Sequence, residues 1–108
     1  MELNEICFKA HEMAVDKGFW PTWNTREPEL REATAIGLIH TEVSELMEAH
    51  RAVIVDREEH ELGMAEEMAD VIIRVCDVAG HFGIDLDTAV AEKMAYNATR
   101  PAKHGKRY

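Results

Sequence analysis

The chain has 108 residues, which suits one domain, and a domain of this size buries only about two-thirds of its unfolded surface, so its core is modest. Apolar residues make up 46% of the chain, too many for a disordered segment. The formal net charge of -9 repels a nucleic-acid backbone and argues against a DNA- or RNA-binding module.

Four helical segments and no convincing strand are predicted in chain order. Leu3, Ile6, Ala10, Met13 and Ala14 recur at helical spacing and mark a first helix over 3–17. The stretch KGFWPTWNTREPE, with Gly18, Pro21 and Pro28, reads as a loop. A long second helix covers about 30–53, and the polar stretch DREEHELG, ending in Gly63, reads as a linker or frayed end. A third helix runs from about 64 to 82, with Gly80 and Gly83 around its end. Asp85 is placed to cap a fourth helix from 86 to about 99, which Pro101 stops, and the basic tail from about 101 is expected to be irregular. The sum is a single all-α domain over 1–108, a four-helix, bundle-like subunit with near-antiparallel packing.

Cys7 and Cys76 show neither metal-ligand spacing nor a paired framework and are expected to be buried, reduced thiols. No charged-then-apolar leader and no run of about 18 apolar residues is found, so neither a secretory signal nor a membrane span is expected, and the expected location is the cytoplasm.

The acids carry the most information. On a wheel of about 100° per residue, Ala35, Leu38, Ile39, Leu46, Ala49 and Val53 form one apolar arc of the second helix. Glu42 falls in the middle of that arc, Glu45 at its edge and Glu48 farther out. An ionised carboxylate in an apolar setting is costly unless it is paired or binds a metal. Glu42 is therefore protonated, paired with an Arg or Lys, or bound to a cation, unless that face of the bundle is open to solvent.

In the third helix, AEEMADVIIRVCD places Met68, Val71, Ile72, Val75 and Ala79 on the side expected to be buried, with Glu67 at the border and Asp70 toward the polar side. An E-x-x-E on one helix is thus followed by an E-x-x-D on the next. Residues three apart on a helix lie about 5–6 Å from each other. Facing antiparallel helices would bring the four carboxylates to one spot, where like charges need compensation. An all-oxygen site suits Mg²⁺ or Mn²⁺.

On the fourth helix, Leu86, Ala89 and Val90 define an apolar side, and Lys93, Asn97 and Arg100 continue it. Two cations and an amide in that line form either a clamp for an oxyanion such as phosphate or long side chains laid over the core edge.

These residues resemble the MazG-like all-α nucleoside triphosphate pyrophosphohydrolases. The resemblance is carried by E-V-S-E within LIHTEVSELMEAHR, by E-M-A-D, by GIDLDTAVAEK and by KMAYNATRP, with the early KGFW resembling small single-domain members. It implies Mg²⁺-dependent cleavage between the α and β phosphates, giving a nucleoside monophosphate and pyrophosphate. Carried over, Glu42, Glu45, Glu67 and Asp70 would hold the metal, with Glu45 also orienting or deprotonating the attacking water. Lys93, Asn97 and Arg100 would hold the phosphate chain. The resemblance further implies homodimers or tetramers with sites near subunit boundaries. Ile36, Met47 and Ile73, apolar beyond the main stripes, agree with helices contacted on more than one face.

Phe19, Trp20 and Trp23 are candidates to stack on a base or to plug the open end of the bundle, and Asn24 and Arg26 are candidate base or phosphate contacts. His40 is read as structural, Asp77, seven residues after Asp70, as an acid supporting the site from behind or, in preference, on a solvated face, and Arg74, His81 and His104 receive no role. Phosphoribosyl-ATP pyrophosphohydrolase, dUTPase and a non-catalytic nucleotide binder are alternatives. A ferritin-like di-iron site is set aside because no Glu has a His three residues later.

Overall fold

The computed structural model describes residues 2–20, 28–55 and 57–101, without the side chains of 55–62. Within them lie four helices and no strand: α1 (Leu3–Asp16), α2 (Pro28–Val55), α3 (Arg57–Phe82) and α4 (Leu86–Ala98). The predicted Trp23, Asn24 and Arg26 contacts and the tail beyond 101 fall outside the described residues.

Pro28 opens α2, where its fixed φ suits the first helical position and its missing N–H costs nothing. The stretch read as a linker is helical from Arg57 onward, correcting the expected start at 64. Arg, Glu and Leu are good helix formers, and one interior glycine costs only about 1 kcal/mol relative to Ala.

The ends of α1 and α4 cap each other. Glu2 offers α1 no side-chain cap. Leu3 N and Asn4 N donate instead to the two carboxylate oxygens of Asp87, at 2.9 and 3.1 Å. Asp85 caps α4 as predicted, accepting from Thr88 N at 3.0 Å and from the Asn4 amide at 2.8 Å. The Asn4 bond and then the Thr88 bonds hold the Asp85 carboxyl below its ordinary range.

α3 is central, with α1 and α2 both packed along it. Both pairs run antiparallel: Glu32 meets His81 while Glu42 meets Arg74, and Cys7 faces Gly80 while His11 faces Asp77. Where α1 meets α3 the buried cluster is of small side chains, Cys7, Cys76 and Ala79, with Ile6, Ala10 and Leu86 packed against them. Both thiols are free, and burial, reinforced by Cys7 beside it, pushes Cys76 up to about 12. Close approach of α1 and α3 requires Gly80, where a Cβ would lie 2.6 Å from His11 Cβ and 2.8 Å from the Cys7 carbonyl oxygen.

Two expectations for α3 are corrected. Asp77 is not on a solvated face: it is 5% exposed and accepts from Trp20 Nε1 at 2.8 Å and from His11 Nδ1 at 2.9 Å. The stripe Met68, Ile72 and Val75 is exposed rather than buried. α4 leans chiefly on α1 and leaves that side of α3 uncovered. The radius of gyration, 16.8 Å, exceeds the value of about 13 Å for a compact chain of this length, in keeping with an arm that does not fold back.

Gly80→Ala is expected to cost about 1–3 kcal/mol by forcing α1 away from α3. Asp77→Ala is expected to cost a similar amount, about 1–3 kcal/mol, by leaving two buried donors without an acceptor. Urea unfolding followed by helical circular dichroism measures both.

Candidate metal centre

α1 ends in a turn that matters to the site. Gly18 takes φ +85°, a conformation open to glycine, and the chain closes with Phe19 N donating to the Ala14 carbonyl and Gly18 N to the Val15 carbonyl, each at 3.0 Å. This turn delivers Trp20 inward. Its ring stacks on His81 with centroids 4.1 Å apart, while His81 Nε2 lies 2.8 Å from Glu32 Oε2. The indole is thus buried in the fold, with its N–H on Asp77 and one ring face on His81, and it is not among the residues lining the cavity described next. Phe19 stays half-exposed and covers the Arg74 guanidinium at 4.9 Å.

Between α1, α2 and α3 lies an open cavity of about 450 Å³. Glu42, Glu45 and Asp70 line it, together with Lys17, Phe19, Ile73, Arg74 and Asp77. One carboxylate oxygen from each of Glu42, Glu67 and Asp70 lies within 4.8 Å of the others. Glu45 is close enough to Glu67 to act on its ionisation. The structure therefore gathers three of the four acids singled out from the sequence, Glu42, Glu67 and Asp70, while Glu45 lines the cavity with Glu42 and Asp70. Glu48 stands apart, exposed and paired with Arg51 at 2.9 Å.

Charge in the cluster is only partly met. Arg74 Nε donates to Glu42 Oε1 at 3.2 Å, with the Glu42 side chain 12% exposed, so the acid in the apolar arc does have a basic partner. Sequence reasoning gave Arg74 no role. Its signal was its place one helical turn after Asp70 on the same face. Glu67 has no such relief. Its Oε2 is buried and, among the described residues, no donor reaches it. Desolvation first, and then the charges of Glu45 and Asp70, raise the Glu67 carboxyl above its ordinary range. Acids with an orphaned, buried carboxylate oxygen fit an oxygen-loving divalent cation, whose charge would offset that rise.

Lys93, Asn97 and Arg100 are not among the residues lining this cavity. Lys93 on α4 and Arg100 just after it gather instead around the Tyr96 ring, at 5.0 and 5.5 Å from its centroid. No helix of the described residues is long and apolar enough to cross a membrane. Comparison of the chain with protein-family models, with curated proteins and with solved structures finds no match.

Because the folded value of Glu67 is raised, the stability linked to it is fully present below the ordinary glutamate value and is lost as pH rises through the folded value. Without metal, lowering the pH from 7 toward that range should therefore raise the Glu67-linked part of the stability. Glu67→Gln should abolish that part and raise the melting temperature at pH 7 in EDTA. Mg²⁺ should raise the melting temperature of the wild type and leave that of Glu67→Gln little changed, by the linkage of ligand binding to folding. Thermal melts over pH, with EDTA or Mg²⁺, measure all three.

Proposed function

We propose that the protein is a Mg²⁺-dependent nucleoside triphosphate pyrophosphohydrolase, which cleaves between the α and β phosphates to give a monophosphate and pyrophosphate. The observation that carries this reading is the orphaned, buried Glu67 oxygen clustered with Glu42 and Asp70, two acids that line an open cavity. The ordered E-x-x-E and E-x-x-D pairs and their resemblance to the MazG-like enzymes supply the reaction class.

Glu42, Glu67 and Asp70 would hold the ion, with Glu45 completing the set. A bound Mg²⁺ supplies charge neutralisation of the triphosphate and a lowered pKa for a coordinated water. Glu45, the more exposed of the α2 pair, is suited to orient the attacking water and accept its proton. Arg74 holds Glu42 in place. No nucleophilic side chain is required, since such chemistry rests on positioning and electrostatics.

Lys93, Asn97 and Arg100 would reach a site in a neighbouring subunit, where α4 extends as an arm. Apolar side chains left open on three helices, Ile36 and Met47, Met68 and Ile72, Val90 and Met94, support a homodimer or tetramer.

The test is turnover on a panel of canonical and damaged ribo- and deoxyribonucleoside triphosphates, dUTP and phosphoribosyl-ATP, with Mg²⁺ or EDTA, with products separated by chromatography. Mg²⁺-dependent monophosphate plus pyrophosphate is expected. Glu45→Gln should lose at least about a hundredfold in kcat, within the range of a general base. Diphosphate plus phosphate would place the cleavage elsewhere, and no turnover across the panel would sink the reading.

A further inference from the structure

The cavity also carries positive charge. Arg74, on α3 beside the acids, and Lys17, at the end of α1, both line it. Arg74 is held from two sides, with its Nε on Glu42 at 3.2 Å and the Phe19 ring over its guanidinium at 4.9 Å. A guanidinium carries five N–H donors, and Nε uses one of them. Among the described residues no acceptor is bonded to either Nη, so the forked edge of the group has its donors to spend. Lys17, the capping residue at the C-terminus of α1, is exposed at the same cavity.

We propose that Arg74 and Lys17 receive the phosphate chain of the nucleotide within the same subunit, Arg74 by direct hydrogen bonds and Lys17 by its charge. This rests on the nucleotide reading above and deepens it, because it assigns the anion to this cavity as well as to α4. The chemistry favours Arg74 for the direct contact. A planar fork matches two phosphate oxygens at once, and a side chain already fixed by Glu42 and Phe19 loses little freedom on binding. A plain counter-ion to Glu42 would behave differently, since its removal would change pyrophosphate affinity no further than it changes the affinity for Mg²⁺ alone.

The test is calorimetric titration of the full chain with inorganic pyrophosphate in Mg²⁺, on the wild type, Arg74→Gln, Arg74→Lys and Lys17→Gln. Helical content and melting temperature are recorded for each, and Mg²⁺ alone is titrated in parallel. Arg74→Gln is expected to weaken pyrophosphate about tenfold or more, the scale of a charged hydrogen bond, while Mg²⁺ alone binds no more weakly. Arg74→Lys should recover part of the loss, and Lys17→Gln should lose a few-fold, about the scale of an exposed charge. Equal pyrophosphate affinity in the wild type and Arg74→Gln overturns the inference, as does a wild type that binds no pyrophosphate. Should Arg74→Gln not fold, unchanged affinity in both Arg74→Lys and Lys17→Gln overturns it. The two readings fail separately. A protein that turns over nucleotide with the same KM in Arg74→Gln keeps its function and loses this assignment. One that binds pyrophosphate through Arg74 but turns over no nucleotide keeps the assignment and loses the function.

Discussion

A carboxylate buried on the central helix must be met by donors, and at Asp77 the donors come from α1 and the turn that follows it. His11 and Trp20 meet it, and Trp20 is then stacked on His81 of α3. Those contacts fix the turn at Gly18 against α3, and the fixed turn sets Phe19 over Arg74. Arg74 in turn holds Glu42. The position of the acid in the apolar arc thus depends on a buried acid nearly two helical turns along α3 from Arg74's neighbour Asp70. A core built of cysteine and alanine would hold α1 and α3 together weakly by area alone, so this polar network carries unusual weight in defining how they pack.

The acid cluster is a balance left unfinished by the chain. One of its carboxylates has a guanidinium, while another keeps a buried oxygen with no donor and a raised ionisation range. Complete neutralisation by more basic residues would leave no room for a cation, and none at all would drive the helices apart. Partial neutralisation leaves the cluster with net negative charge. On the function proposed here, Arg74 and Lys17 at the same cavity would receive the anion carried in with the ion.

α4 gives the fold its unusual outline. It is anchored at its start through Asp85, Asp87 and Asn4, and its remaining length is exposed. The side of α3 that a fourth bundle helix would cover, at Met68, Ile72 and Val75, is open as a result. Apolar area left in water is a standing cost that a second subunit can remove, which is why the oligomer proposed here and the exposed stripe belong to one account.

The helices, the Asp85 cap and the paired acids on α2 and α3 were legible in the chain, because periodicity, capping chemistry and the i, i+3 spacing of carboxylates are local properties. Glu42 in the apolar arc was legible for the same reason: a wheel needs only one helix. The stretch at 57–63 was misread because polarity and a glycine look alike in a loop and in a solvated helix. What no local rule could supply was the partner of each face. Asp77 looked solvated because its donors lie far away in the chain, and Met68, Ile72 and Val75 looked buried because amphipathicity names an apolar side without saying what covers it. Local patterns along the chain were therefore enough for the helices and for the spacing of their acids. Which acid is paired, which is orphaned and where α4 points depend on contacts between residues separated by one or more helices, and these follow from the packing.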